Sequence, residues 1–295
     1  MADDAATIDG HRLELSHTDK VLFPDDGITK GDLIDYYKEM APHMLPHLAG
    51  RPVSMQRFPD GIGKQGFYQK KLGGHFPDWI SRATVEVKEQ DRKQEQVVAD
   101  SAADLVYLAN QACITIHPWL SREKHIEKPD RIIFDLDPPG KDFGPVKRAA
   151  RKIEEALREA GLVPFVMTTG SKGLHVTAPI KPEKDFDEVR EFASSLAERL
   201  AKDNSDEFTV ETLKKERKGR VFLDYLRNAY GQTGVAPYSV RPLPGAPVAA
   251  PLDWDELSSS GLHPRKYHIG NIKRRLSQKE DPWKDMERHK RSIKE

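Results

Sequence analysis

The sequence predicts an α/β chain in which a central mixed sheet is flanked by helices. Two observations predict it. Apolar runs of strand length, such as "RIIFD" (131–135) and "LVPFVMTT" (162–169), are separated by a longer stretch of helical periodicity, giving the strand–helix–strand order of a βαβ unit. "ATVEV" (83–87) and "EQVVA" (95–99), around a charged loop, read as a hairpin.

In chain order, Thr29 opens the first helix, with Asp32 placed as in a capping box. Leu33, Tyr36, Tyr37 and Met40 give that helix an apolar stripe. "RPVSMQRF" (51–58) reads as a strand and "PDGIGK" as the turn after it. Residues 101–111 form a short helix capped by Ser101, and "CITIH" (113–117) is again a strand. After the strand 131–135, Pro145 suits a first helical turn and Gly161 a C-terminal stop. Val146, Ala150, Ile153 and Leu157 stripe the helix between them. "GSKG" (170–173) turns the strand 162–169 into a further strand, "LHVTAPI". A second amphipathic helix follows over 185–202, and then the strand "GRVFLDYL" (219–226). From Asn271 the tail is basic, with nine Lys/Arg against five Asp/Glu, and is expected to be helical in part after the break at Asp281-Pro282.

The totals set bounds. A length of 295 residues allows one large domain or two small ones. Lys+Arg and Asp+Glu are both 47, so the balance neither demands nor excludes a nucleic-acid partner. A single cysteine, Cys113, excludes an intrachain disulfide and argues against a zinc cluster. With no signal-peptide pattern at "MADDAATIDG" and no run of membrane-spanning length, a cytoplasmic protein without membrane association is expected.

The chemistry starts at "FDLDPPG". Side chains alternate along a strand, so Asp135 and Asp137 point the same way. Two like charges on one face repel unless a cation lies between them. Either this is a solvated strand end or it is part of a divalent-metal site. Asp224, in "VFLDYLRN", ends another apolar strand and completes a candidate triad. Such triads hold two Mg²⁺ or Mn²⁺ ions, hard cations that prefer oxygen ligands. Gly170 and Gly173 of "TTGSKGLH" let backbone approach an anion, and Ser171 and Lys172 add donors. The spacing is not that of a Walker loop. His175, two residues into the next strand, is within reach of the same phosphates; a lone strand histidine is more often packed in a core.

Taken jointly, "FDLDPPG", "SKGLH" and "FLDYLRN" followed by "APYSVR" resemble the three motifs of the archaeo-eukaryotic primase superfamily. The nearest branch is the polymerase domain of the prokaryotic end-joining DNA ligase. The resemblance runs from about Leu13 to the tail and implies a primase-polymerase-like core. It implies that Asp135, Asp137 and Asp224 hold the metals. It also implies that Ser171, Lys172, Gly173, His175 and Arg241 contact the incoming triphosphate. Thr233 and Ser239 fall in the last motif and are assigned to the nucleotide site, and His117 is placed near the nucleotide's sugar or base.

Near the N-terminus the resemblance makes Lys20 and Lys30 the holders of a DNA 5′-phosphate. Ammonium groups suit that task as point charges. His17 stands where the family often has asparagine. Phe67 and Tyr68 match a pair of rings that stack on template bases, and Arg57 matches a DNA-contacting position. The charged loops 87–96 and 214–220 match loops that join DNA ends and arrange the primer terminus. Arg217 or Arg220 is thereby expected near the metals.

The implied activity is template-directed nucleotide addition to a 3′-OH at gaps and double-strand breaks. Ribonucleotides and Mn²⁺ are preferred, and Ku, an end-joining ligase and a second molecule across the break are the implied partners. No KxDG adenylation motif is present, so ligation is expected from another domain or protein. Two alternatives are a primase that starts chains without a primer, and a DNA-end-bridging module with minor catalysis. The expected organisation is one domain over 1–295: an N-terminal phosphate-binding part (roughly 13–80), a catalytic core (roughly 81–270) and the basic tail (271–295).

Overall fold

A computed structural model describes residues 4–140 and 142–294. The chain divides into two compact units, each built from interleaved segments: 1–119, 235–249 and 268–277 in the first, 120–234, 250–267 and 278–295 in the second. The hairpin, helix and strand between residues 82 and 118, grouped with the catalytic core on sequence, thus fold with the N-terminal unit.

The first unit opens with a hairpin of β1 (Asp4–Ile8) and β2 (His11–Leu15). The short pair β3 (Val21–Phe23) and β4 (Ile28–Thr29) leads into α1 (Lys30–Leu48). Both arms of the capping box at Thr29 and Asp32 form, which fixes where α1 starts. Next come β5 (Val53–Arg57), β6 (Phe67–Gln69) and the hairpin β7 (Arg82–Val87) with β8 (Arg92–Val97). After these, α2 (Ala102–Asn110) carries a second capping box, at Ser101 and Asp104, and β9 (Cys113–Pro118) follows. β5 is the centre of a three-stranded antiparallel sheet, between β6 and β9. The stripe of α1 is buried, with Leu33, Tyr37 and Met44 fully so, and packs on α2.

The second unit holds the larger sheet. Its strands are β10 (Arg131–Asp137), β11 (Phe165–Thr168), β12 (Leu174–Pro179), β13 (Phe208–Thr209), β14 (Val221–Asp224) and β15 (Ala250–Leu252). Their order is β13-β14-β10-β12-β11-β15, parallel only between β13 and β14, so the sheet is mixed. The helices α3 (Gly144–Glu159) and α4 (Phe186–Asp203) pack on it. β10, α3 and β11 form the expected strand–helix–strand run, but β12 is inserted between the two strands. The tight turn at "GSKG" folds β12 back antiparallel into that gap.

β14 stops at Asp224, opposite Asp135, and leaves the backbone of Ile133 without a ladder partner on that side. The fully buried Asn228 replaces the missing strand. Its Oδ1 accepts from Ile133 N at 2.9 Å, and its Nδ2 donates to Ile133 O at 2.7 Å and to Tyr225 O at 2.8 Å.

The tail departs from expectation. Its helix, α5 (Ile272–Gln278), precedes the Asp281-Pro282 break, and only a short 3₁₀ turn, Met286–His289, follows it. Beyond the break the chain is pinned to the second unit. Trp283 is buried and donates through Nε1 to Val166 O at 3.1 Å. Lys290 reaches buried Asp130 at 3.0 Å, and Glu287 pairs with Arg122 at 2.8 Å and Arg131 at 3.0 Å. Part of the basic charge is therefore answered within the fold. Among the described residues no helix is long and apolar enough to cross a membrane.

Asn228→Ala removes both partners of Ile133 inside the sheet and is expected to cost about 2 kcal/mol or more. The check is urea unfolding, where a lower midpoint at unchanged slope is expected.

Candidate active site

Cross-strand register explains why a buried strand ends in acids. Asp135 on β10 lies opposite Asp224 on β14 and opposite His175 on β12. Asp137 is two residues further along β10, on the same side. Four chemically active side chains from three neighbouring strands therefore share one face of the sheet. Leu136, Leu174 and Leu223 alternate to the other face and are fully buried.

The four are coupled electrostatically. Arg227, on the turn after β14, donates from Nε to Asp135 Oδ2 at 2.6 Å and from its NH1 nitrogen to Thr233 O at 3.1 Å. His175 Nε2 lies 3.4 Å from Asp135 Oδ1. Burial by itself would raise the Asp135 pKa. His175 and the Arg227 guanidinium outweigh burial and hold this carboxyl well below the usual range. Asp137 is pushed up by burial and by the charge of Asp135, with Lys172 acting in the opposite direction. Asp224 is likewise pushed up, first by burial, although it accepts from Leu226 N at 2.8 Å.

Of these carboxylates Asp135 is buried, Asp224 half-buried and Asp137 exposed at the strand end, and the Arg227 guanidinium is in direct contact with Asp135. Among the described residues, no three His, Cys, Asp or Glu side chains already form a metal-binding group, and the two oxygens of Asp135 face Arg227 and His175. The donor set itself fits hard divalent ions: carboxylate oxygens on one face, with surplus negative charge.

Beside the acids lies the turn 169–173. Thr169 organises it. Its Oγ1 accepts from Gly173 N at 3.2 Å and Ser171 N at 3.4 Å, and its own N–H donates to Gly173 O at 3.0 Å. Gly173 must be glycine because of the space around it. A Cβ there would stand 1.9 Å from Leu136 O and 3.0 Å from Asp137 Oδ1. Asp137, Phe143 and the turn border an open cleft of about 590 Å³ within the second unit. Lys172, Lys214, Arg217, Arg220 and Arg265 line it against a single acid, Asp137, which gives it the field of a polyanion site. Arg265 also donates to Ser171 O at 3.0 Å.

The two arginines that the sequence could not separate differ here. Arg217 stacks on Phe222, 4.1 Å from the ring centroid, and its charge reaches Asp224. Arg220 donates to the carbonyls of Arg217, Ser205 and Glu216 and braces the loop.

The remaining sequence-predicted residues lie in the first unit, Thr233 excepted. Lys20 and Lys30 are brought together: Lys30 N donates to Lys20 O at 2.8 Å, and Lys20 N to His17 O at 3.1 Å. Exposed Lys20 pairs with Asp60 at 2.9 Å, whereas Lys30 is buried and donates to Asn110 O at 3.1 Å and Ser16 Oγ at 3.3 Å. Phe67 and Tyr68 are both exposed, but as neighbours on β6 they stand on opposite faces. Arg57 lies 5.5 Å from the Phe67 ring, and His117 lies 5.6 Å from the Tyr68 ring. Arg57 donates to Gln69 Oε1 at 2.7 Å and Gln111 O at 2.8 Å, which holds β6 in place. Ser239 is fully buried; its Oγ accepts from Ile116 N at 2.9 Å and lies 3.1 Å from the Tyr37 hydroxyl. Arg241 is half-buried, and its N–H donates to Pro247 O at 2.7 Å.

Sequence reasoning missed Arg227, Thr169, Asn228 and Arg265. The first three sit one to four residues from motif residues that were read, so proximity to a motif was the available signal. Arg265 carried none.

An acidic centre on a mixed sheet, next to a cationic phosphate-type turn, defines a nucleotidyltransferase-like class of site. Comparison with known proteins narrows it. The primase-polymerase domain of LigD matches residues 29–283, and the chain belongs to that family. It is 36% identical over 265 residues to the multifunctional non-homologous end joining protein LigD of Mycobacterium bovis, covering 87% of this chain and 35% of that protein. It is 32% identical over 280 residues to the bifunctional non-homologous end joining protein LigD of Bacillus subtilis, covering 94% of this chain and 44% of that one. The chain thus spans between a third and a half of these two relatives. The solved polymerase domain of Mycobacterium tuberculosis Ligase D in complex with DNA superposes with a TM-score of 0.88 at 34% identity, over 94% of this chain and 98% of that one.

Gly173→Ala forces the turn away from β10. It is expected to destabilise the protein by about 1–3 kcal/mol, the usual range for overpacking, read as a lower urea midpoint. An unchanged midpoint would mean that the turn does not press on Leu136.

Proposed function

We propose that this chain is the nucleotide-adding part of a DNA end-joining apparatus. It extends a 3′-OH on a template at gaps and broken ends that carry a 5′-phosphate, with ribonucleotides preferred. The observation that carries the proposal is the shared face of Asp135, Asp137, Asp224 and His175 beside a cleft dominated by cations.

Asp135, Asp137 and Asp224 would hold two divalent ions, Mn²⁺ in preference to Mg²⁺. Such ions, when bound, activate the attacking oxygen and stabilise the leaving one. The protein's own groups do the rest. The turn 170–173 presents backbone and the Lys172 ammonium to the triphosphate, and Gly173 brings that backbone against β10. His175 orients the Asp135 carboxylate from β12. Arg217 places a fixed positive charge near Asp224, where the primer end is arranged. Arg241 and His117 are assigned to the nucleotide on family resemblance, together with Thr233 and Ser239. The buried hydroxyl of Ser239 supports a scaffolding part in that assignment.

In the first unit, Lys20 and Lys30 form the proposed 5′-phosphate site, with His17 beside them. Tyr68, on one face of β6, is the ring proposed to stack on a template base; Phe67, on the other face, covers Arg57. The hairpin β7–β8 is proposed to help pair two molecules across a break. Ku and an end-joining ligase are the proposed protein partners.

Primer extension on a gapped duplex tests the reading, with rNTP compared with dNTP and Mn²⁺ with Mg²⁺. Extension is expected to be strongest with rNTP and Mn²⁺, and Asp137→Ala should abolish it. Normal extension by Asp137→Ala would remove the enzymatic reading and favour end bridging. Lys20→Ala combined with Lys30→Ala should cut the preference for 5′-phosphorylated gaps roughly tenfold, the size expected for lost charge-assisted contacts. A preserved preference would place the phosphate elsewhere.

A further inference from the structure

Arg227 belongs to none of the groups assigned above. Its guanidinium occupies Asp135 Oδ2 at 2.6 Å, while His175 faces the other oxygen at 3.4 Å. A divalent ion at Oδ2 would stand beside the guanidinium on the same oxygen, and the two cations repel. Coordination through this oxygen therefore favours the departure of Arg227. The side chain is able to do so: it is 37% exposed, and besides Asp135 it donates to a backbone carbonyl, Thr233 O, at 3.1 Å. A displaced guanidinium needs another anion, and the polyphosphate of an incoming nucleotide is one whose oxygens match its fork of donors.

We propose that Arg227 is a built-in counter-ion of the acidic centre. It holds Asp135 until a divalent cation and a nucleotide arrive together, and then transfers its hydrogen bonds from the carboxylate to the phosphates. This rests on the metal-dependent nucleotidyltransferase reading and goes beyond it in one respect. Metal alone binds weakly because it competes with an internal cation. Metal with nucleotide binds well because the displaced arginine gains a partner. The device makes binding of the two cooperative, and Asp135 keeps a counter-ion when no nucleotide is present.

The test is Mn²⁺ binding to the full chain, read from the loss of the free Mn²⁺ electron paramagnetic resonance signal, with and without a non-hydrolysable ribonucleoside triphosphate. Wild type is expected to bind Mn²⁺ alone weakly and about tenfold more tightly with the nucleotide, a common size for coupling between two sites. Arg227→Gln should bind Mn²⁺ alone about tenfold more tightly than wild type and lose most of the nucleotide's effect. Arg227→Lys, which keeps the charge, should stay close to wild type. Equal or weaker Mn²⁺ binding by Arg227→Gln overturns the proposal. A second measurement needs no variant: the Arg227 Nε–Hε NMR resonance should shift on adding Mg²⁺ and nucleotide, and an unmoved resonance while metal binds also overturns it. If wild type binds no Mn²⁺ under either condition, the metal-dependent reading falls as well; Mn²⁺ binding that ignores Arg227 removes this inference alone.

Discussion

Like charges gathered on one face of a partly buried sheet must be balanced by positive charge, and the second unit is arranged around that requirement. At an effective dielectric constant of 20, two unit charges 4 Å apart interact by about 4 kcal/mol. Three carboxylates cannot be held ionised together at such a cost without cations nearby. Arg227 and His175 answer Asp135, Lys172 acts on Asp137, and Arg217 on Asp224. The proton affinity of Asp137 and Asp224 is raised first by burial and further by the charge of Asp135. Divalent ions are the natural complement to the negative charge of these acids.

Much of the local backbone exists to permit this arrangement. β14 ends at Asp224, where the acid is needed, and Asn228 takes over the ladder positions that a longer strand would have filled. The turn 169–173 presses so close to Leu136 that only glycine fits at 173, and the Thr169 hydroxyl replaces backbone partners inside the turn. In both places a polar side chain does the work of missing main-chain hydrogen bonds. The result is a site with short, well-determined elements on every side, which is what positioning to within fractions of an ångström demands.

The strong local signals were legible in the sequence. "FDLD" alternates apolar and acidic residues with period two, and that alternation is what puts Asp135 and Asp137 on one face. Thr29, Ser101 and Gly161 punctuate helices by rules that depend only on near neighbours. What could not be read depends on pairing between distant segments. Nothing in "LRN" says that Arg227 will turn back to Asp135, since that contact spans 92 positions. Nothing in "TTGSKG" says that β12 will insert between β10 and β11, because a parallel pair and a split pair have the same periodicity. Phe67 and Tyr68 look like a ring pair in one dimension and are separated by the pleat in three. The tail reads as basic by count, whereas Lys290 is committed to Asp130 within the fold.

The proposed function depends on Asp135, Asp137 and Asp224 jointly holding cations for a nucleoside triphosphate. Crystals grown with Mn²⁺ and a non-hydrolysable ribonucleoside triphosphate test it most directly, through the anomalous scattering of manganese. The expected result is manganese density bonded to carboxylate oxygens of all three residues and to phosphate oxygens. Manganese bound elsewhere, or bonded to Asp137 with Asp224 out of reach, would contradict it.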